Sequence, residues 1–249
     1  MTCVHCKVSA TGIMSEYRVE LQAAVVIHQR PFKNTSAIVE FFTQDYGRIA
    51  AVVQGIKREK SKWRGLIQPF QLLQISWQGR GELPKLIAAE PLGQIHYLAG
   101  ESLFGALYVN ELLVRLLHKH DAVPRLFQQY LATIEQLFHD NSAVALRQFE
   151  LCLLQVLGYE LQLETEAHSS ALIQSPRFYR FVPGEGFFPT EEQPGAISGA
   201  SVLAMSQGLF HEPQVARDAR LILRMALQRL LGDKPLKSRE LLLAYKGKR

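Results

Sequence analysis

Short runs of apolar and β-branched residues occupy positions 18–90 and predict β-strands. The first three runs are ELQAAVVIH, TSAIVEFFT and RIAAVV, with the turn sequence QDYG before the third. Two more runs, FQLLQISW and LPKLIAAE, follow a loop, and GRGE between them predicts a hairpin turn. Five short strands in about 70 residues favour a small closed barrel: the OB-fold is the commonest five-stranded kind, and an SH3-like barrel fits nearly as well.

Beyond residue 100 the apolar positions recur at helical spacing. Three helices are predicted in ESLFGALYVNELLVRLLHKH, VPRLFQQYLATIEQLFHD and NSAVALRQFELCLLQVLGYEL, the last with Asn141 and Ser142 as candidate N-caps. A stretch rich in Gly, Pro and aromatic residues predicts an irregular loop or hairpin near 165–195. GASVLAMSQGLF and EPQVARDARLILRMALQRLLG predict two more helices, and DKPLKSRELLLAYKGKR is interpreted as a tail.

These patterns predict an α+β protein in two parts. An N-terminal five-stranded OB-fold β-barrel over residues 18–95 is followed by an α-helical domain over residues 100–249. A length of 249 residues with 47% hydrophobic composition is sufficient for two cores. Residues 1–17 are interpreted as a flexible leader or a misassigned start, with Met14 as the alternative start.

The N-terminal segment and the cysteines indicate the compartment. The first residues lack the apolar core of a signal peptide, and no run has the eighteen or more apolar residues of a membrane helix, so a cytoplasmic protein without a membrane partner is expected. Cys3, Cys6 and Cys152 cannot all pair within the chain. Because CVHC has no second C-x-x-C to complete a zinc site, no metal is predicted.

The charge of the chain favours an anionic partner without requiring one. The net charge is +5 and the isoelectric point is near 9.1. The sequence contains no phosphate-binding loop, no G-x-S-x-G elbow and no H-E-x-x-H motif, and its dispersed carboxylates do not indicate a two-metal site. A binding protein, not an enzyme, and one without a cofactor, is therefore predicted.

The segment GIKREKSKWRG, residues 55–65, concentrates positive charge around one aromatic residue. Its basic side chains can neutralise phosphates and release counterions, and the ring of Trp63 can stack on an unpaired base, worth roughly 1–3 kcal/mol. The alternative is a solvated basic loop whose tryptophan packs back onto the barrel. The basic residues are Lys57, Arg58, Lys60, Lys62 and Arg64.

A second basic region runs from Val215 to the end of the chain, with ten Lys and Arg residues against three acidic ones. Arg217, Arg220 and Arg224 follow i, i+3, i+7 spacing and are expected to share one helix face. Such a stripe is often only the solvated side of an amphipathic helix. Two separate basic regions, one of them with an aromatic, nevertheless favour an extended track for nucleic acid.

The order of these features resembles the bacterial recombination mediator family RecO. The segment AVVIHQRPFKNTSAIVEFFTQDYGRIAAVVQGIKREKSKWRGLIQPF resembles the N-terminal OB-fold of that family. LYVNELLVRLL, ALRQFELCLLQVLGYEL and LGDKPLKSRELL are similar to its helical segments, in the expected order. The resemblance covers residues 18 to 244, nearly the whole chain.

The resemblance implies a DNA repair and recombination mediator. Such a protein binds single- and double-stranded DNA, engages the C-terminal tail of single-stranded DNA-binding protein and anneals the strands which that protein coats. It acts with RecR to load the RecA recombinase, uses no ATP, and is cytoplasmic and associated with the nucleoid.

The resemblance also implies which residues form the sites. Arg48 joins the residues of the basic loop as a barrel position for DNA. The arginine stripe of the helical domain is assigned to DNA by its spacing and charge. Arg147 and Phe149 are expected in the wall of the pocket for the acidic, apolar-ended tail, where a hydrophobic slot takes the terminal aromatic and a guanidinium pairs with carboxylates.

The chain departs from the family pattern in its cysteines. Many members carry a four-cysteine zinc site after the helix that corresponds to residues 142–157, whereas here Cys152 stands alone. The resemblance is therefore to the zinc-free branch. An alternative from another class is an RNA-binding barrel protein in translation or ribosome maturation, and an enzyme acting on nucleic acid ends is third.

Overall fold

The computed structural model describes residues 17–93, 97–140 and 143–247. The chain divides into two compact units, residues 1–95 and 96–249. The predicted leader up to residue 16, with Cys3, Cys6 and Met14, lies outside the described residues, as do the candidate caps Asn141 and Ser142. No helix in the described part of the chain is both long enough and apolar enough to span a membrane.

Five strand pairings, four antiparallel and one parallel, build the first unit around one core. The strands pair in the order β1-β2-β3-β5-β4, and β1 also pairs with β4, so that the sheet closes into a barrel. The closing seam between β3 and β5 is narrow, with the single parallel pair Val52–Lys85. The predicted five-stranded barrel is confirmed. The strands are β1 Arg18–Phe32, β2 Ser36–Thr43, β3 Gly47–Val53, β4 Leu72–Gln78 and β5 Lys85–Pro91.

A bulge in β1 allows one long strand to serve both sides of the barrel. The register with β4 shifts between Val19 and Gln22, and Leu21, between them, has a φ of 55°. The Leu21 backbone N–H donates to Ser76 Oγ at 3.1 Å, which takes the place of a ladder hydrogen bond at the bulge. Branched and aromatic side chains such as Val39, Phe41 and Ile49 fill the barrel interior.

The second unit is helical with a small sheet. The three helices predicted after residue 100 are confirmed, as is the hairpin, which pairs β6 with β7 and to which β8 adds a third strand. The segment interpreted as a tail instead contains a helix, α6. The elements are α1 Gly100–Leu116, α2 Pro124–Asp140, α3 Ala143–Val156, β6 Phe178–Val182, β7 Gly186–Thr190, β8 Ile197–Ser198, α4 Gly199–Ser206, α5 Pro213–Leu231 and α6 Lys237–Lys246.

Helix α6 is held at its N-terminus by two side chains of α1. Glu111 accepts hydrogen bonds from the backbone N–H groups of Lys237 and Ser238, which have no partner within the helix. One turn further on, Arg115 donates to the carbonyl groups of Leu231, Lys234 and Pro235 at the corner between α5 and α6. This corner places α6 beside α1.

The irregular segment before β6 is organised around the buried carboxylate of Glu166. Ser169 Oγ donates to Glu166 Oε2 at 2.9 Å, and the Tyr179 hydroxyl lies 3.3 Å from Oε1. Arg177 makes an ion pair of 3.7 Å with the same group. Polar contacts from three directions thus tie this segment to the hairpin.

Candidate functional site

A pocket of about 350 Å³ opens between the helices of the second unit. Helices α1, α3, α5 and α6 contribute most of its lining. Its apolar surface includes Phe104, Leu137, Leu146, Phe210, Leu227 and Leu242. Five cationic side chains share the same lining, namely Arg147, Arg220, Arg224, Arg239 and Lys246. The pocket therefore combines a hydrophobic interior with an excess of positive charge.

A buried hydrogen-bonded triad forms part of the pocket wall. Arg147 Nη2 donates to Glu150 Oε1 at 2.8 Å, and the Tyr108 hydroxyl donates to the same oxygen at 2.6 Å. The Glu150 side chain is 2% exposed and that of Arg147 is 13% exposed. The second carboxylate oxygen, Oε2, is buried and has no hydrogen-bond partner among the described residues.

Burial dominates the ionisation of this triad. It raises the pKa of Glu150, against the opposing charges of Arg147 and Arg220 and the hydrogen bond from Tyr108. Burial, and then the nearby Glu150 carboxylate, raise the pKa of Tyr108 well above its usual value, so the phenol remains a hydrogen-bond donor at neutral pH.

The structure brings Arg147 together with two residues that the sequence assigned to DNA. Arg220 and Arg224, one turn apart on α5, both line the pocket. Arg217 is outside the described lining and donates to Gln214 at 2.6 Å on the exposed side of the helix. The predicted arginine stripe is thus divided between the pocket and the outer surface.

Phe149 does not form a wall of the pocket, contrary to the prediction. Its side chain is fully buried in the helical core. Because each residue turns an α-helix by about 100°, a side chain two positions after Arg147 points to nearly the opposite face. Glu150, three positions after Arg147, is the residue that shares its face. This i, i+3 spacing is the signal that could have found Glu150 from the sequence.

Three further pocket residues were missed for two different reasons. Tyr108 lies on α1, far away in the sequence, and its hydroxyl gave no local signal. Arg239 and Lys246 lie on α6, which was interpreted as a tail, so no face could be assigned to them. Lys246 also pairs with Glu101 at 3.0 Å.

The basic loop of the barrel presents its charges outward but not its aromatic ring. All five of its basic side chains are exposed. Trp63 is only 7% exposed and belongs to the barrel core, so the prediction that it offers a free stacking face is wrong. Lys62 Nζ lies 4.4 Å from the centre of this ring. The physical reason is that the indole has a large apolar surface, and burial of this surface in the barrel core is more favourable than its exposure to water.

Arg48 is engaged within the barrel. Its Nη1 lies 3.3 Å from Glu40 Oε2, with both side chains largely buried at 14% and 16% exposure. The guanidinium is therefore less available to phosphates than the loop cations, contrary to its predicted place among them. This pairing connects neighbouring strands β2 and β3.

The described residues contain no metal-binding cluster. No group of three or more His, Cys, Asp and Glu side chains that could hold a metal ion occurs within 17–93, 97–140 and 143–247. Cys152 is a buried free thiol, and burial raises its pKa. The expectation of a zinc-free protein stays a prediction.

Comparison with known proteins identifies relatives of both units. Residues 14–95 match the family described as Recombination protein O N terminal, and residues 98–240 match Recombination protein O C terminal. The DNA repair protein RecO of Coxiella burnetii (strain RSA 493) is 39% identical over 227 residues, which is 90% of this chain and 98% of that protein. The DNA repair protein RecO of Nitrosococcus oceani is 42% identical over 229 residues, 90% of this chain and 93% of that protein.

Proposed function

The chain belongs to the RecO family, and we propose that it holds DNA on the basic loop of its barrel and the acidic tail of single-stranded DNA-binding protein in its helical pocket. Membership of the family supports a role in DNA repair and recombination. The finer proposal is a mediator that anneals complementary coated strands and acts with RecR in loading RecA. It would work in the cytoplasm at the nucleoid, without catalysis.

The observation that carries the proposal is the chemistry of the pocket. A peptide with an apolar end and acidic residues before it needs a hydrophobic slot beside several cations. Phe104, Leu146 and Leu227 supply the apolar surface, and Arg220 and Arg224 supply guanidinium groups of the kind that pair with carboxylates. A nucleic acid backbone, in contrast, has no apolar group that would fill the hydrophobic interior of the pocket.

The barrel supplies the second binding surface. Lys57, Arg58 and Lys60 are exposed on a loop that contacts the barrel core through the buried side chains of Trp63 and Ile56. The indole thus anchors the loop while its cations face solvent, where they can replace the counterions of a phosphate backbone. In this arrangement affinity comes from charge, and base stacking by Trp63 is not required.

The two surfaces together support a tethering mechanism. Capture of the tail would raise the local concentration of the mediator at coated strands. Electrostatic contacts of the loop would then bring two strands together for pairing. The RNA-binding alternative is not favoured, since the relatives of both units are named as DNA repair proteins.

A peptide titration tests the pocket assignment. A labelled peptide with the last residues of the partner's tail is titrated with the protein by fluorescence anisotropy, alongside the same peptide with its terminal aromatic replaced by alanine. We expect Arg224→Ala to weaken binding about tenfold, which is about 1.4 kcal/mol and close to the lower end of the range for a hydrogen bond to a charged group. Arg217→Ala, on the same helix but outside the described lining, is the matched control and should bind normally. Equal losses in both variants would contradict the assignment.

A further inference from the structure

The pocket proposed for an acidic ligand already contains a buried carboxylate. Glu150 lies in the lining and already accepts a hydrogen bond from the Arg147 guanidinium, which lines the same pocket. An ionised ligand carboxylate at Arg147 would bring a second negative charge close to the Glu150 carboxylate. Because Glu150 is buried, water does not screen the repulsion between the two charges. Two like charges in such a site strongly favour protonation of one of them.

Tyr108 and Glu150 also determine where the Arg147 guanidinium lies. Glu150 Oε1 accepts hydrogen bonds from both the phenol of Tyr108 on α1 and Nη2 of Arg147 on α3. The buried Nε of Arg147 has no hydrogen-bond partner among the described residues. The guanidinium is therefore oriented by this one oxygen, and a change at Glu150 changes how Arg147 is presented.

Charged and titratable groups line the pocket that contains Glu150 on each of four helices. The positive charges of Arg147 and Arg220 favour the ionised Glu150 carboxylate, and an anionic ligand that pairs with them withdraws that support. The charged and titratable lining groups are Tyr108 and Glu101 from α1, Arg147 from α3, Arg220 and Arg224 from α5, and Arg239 and Lys246 from α6.

We infer that Tyr108 and Glu150 are positioning residues for Arg147, and that the acidic tail binds this pocket together with one proton, which Glu150 takes from solvent. The inference rests on the proposed function, because it names the regulation of the same pocket. A protonated Glu150 can still accept from Arg147 and Tyr108 through Oε1, while its own proton resides on Oε2. The ligand carboxylate then becomes the single negative partner of the guanidinium. Burial, which raises the pKa of Glu150, brings this protonation closer to neutral pH.

Calorimetry of the same tail peptide measures the proton directly. Binding is followed in two buffers of different ionisation enthalpy, from about pH 5 to about pH 9, where the carboxylates of the peptide remain largely ionised. We expect uptake of up to one proton by the unmodified protein. The dissociation constant should then rise by up to about tenfold per pH unit over the pH range in which Glu150 is ionised in the free protein and protonated in the complex.

Substitutions separate this inference from the general proposal. Glu150→Gln should bind the peptide without that proton and with a flatter pH profile. Glu240→Gln, at an exposed carboxylate of α6 outside the described lining, should keep the proton uptake and the steeper pH profile of the unmodified protein. Tyr108→Phe removes a hydrogen bond that stabilises the ionised carboxylate, so the uptake window should move to higher pH, a result that stands even if Glu150→Gln does not fold. Peptide binding with equal proton uptake in the unmodified protein and Glu150→Gln, or an unmoved window in Tyr108→Phe, would overturn the inference alone. Absence of any peptide binding would overturn the proposed function and the inference with it.

Discussion

Glu111 and Ser238 lie 127 residues apart in the chain, yet the Glu111 carboxylate accepts hydrogen bonds from both the backbone N–H of Ser238 at 2.9 Å and its hydroxyl at 2.7 Å. This contact holds the first turn of α6 against α1. Because Leu242 and Lys246 of α6 line the pocket, the shape of the pocket depends on this attachment.

Glu111→Ala should loosen α6 and weaken the pocket. Removal of one acceptor for three donors is expected to cost about 1–3 kcal/mol of the free energy of unfolding. Hydrogen exchange should accelerate over residues 237–246, and tail-peptide affinity should fall. Glu240→Ala, at an exposed position of the same helix, is the control. Unchanged exchange in α6 would show that other contacts hold it.

The Glu111 contact should also depend on pH. Burial alone would raise the pKa of Glu111, but the hydrogen bonds from Ser238 and Lys237 and the charge of Arg115 outweigh it, so the pKa is lowered. A lowered carboxyl pKa stabilises the fold above the unfolded value of about 4.3, and that stabilisation disappears as the pH falls through the folded value. The stability difference between the unmodified protein and Glu111→Gln should therefore shrink at acidic pH. A difference that stays constant from neutral to acidic pH in urea unfolding would contradict this.

Replacement of Trp63 should affect folding more than DNA binding. Trp63→Leu leaves a cavity in the barrel core and is expected to cost about 1–3 kcal/mol of stability by urea unfolding. The folded variant should retain its affinity for a single-stranded oligonucleotide. A decrease of roughly 1–3 kcal/mol in binding free energy would instead indicate base stacking on the indole.

The basic loop should account for the salt dependence of DNA binding. In a variant with Lys57, Arg58 and Lys60 replaced by alanine, the log–log slope against salt should become shallower by about 0.7 for each single-strand phosphate that is no longer neutralised. Tail-peptide affinity should remain unchanged. Arg18→Ala, at the far end of β1 from the loop, is the matched barrel control. An unaltered slope in the loop variant would show that the phosphates of DNA contact a surface other than the basic loop.

Removal of Arg147 alone should be costly because it leaves Glu150 buried without its cation. We expect Arg147→Ala to reduce stability by about 3–5 kcal/mol. Adding Glu150→Gln to Arg147→Ala should restore a substantial part of the lost stability, because the buried, unpaired carboxylate is then absent. A double-mutant cycle by chemical denaturation measures this coupling. Additive effects of the two substitutions would mean that the pair does not act as a unit.

The elements were predictable where periodicity is local. The apolar, β-branched run TSAIVEFFT and the helical spacing around Leu112 and Leu116 each correspond to an element of the structure. Helix α6 was missed because its charged, leucine-rich stretch owes its stability to Glu111 and Arg115, which lie on a distant helix. Helix propensity depends on local sequence and carries no information about such a distant partner.

The direction of side chains was less predictable than their chemistry. A tryptophan within a basic loop has the composition of a stacking site, but nothing in GIKREKSKWRG reveals that its ring turns into the barrel. Arg147 lines the pocket, while Phe149 does not, because the two side chains point to different faces of α3. Arg220 and Arg224 line the same pocket as Arg147 because α5 packs against α3, and only the tertiary structure determines this packing.

The most direct test of the mediator proposal is annealing of two complementary oligonucleotides, each coated with the single-stranded DNA-binding protein of the same organism. Fluorescence is followed with the intact coating protein and with one that lacks its last few residues, using the unmodified chain, the loop variant and Arg224→Ala. We expect fast annealing that needs the tail, the basic loop and the pocket arginine. Annealing that is no faster than without the protein, or equally fast without the tail, would contradict the proposal.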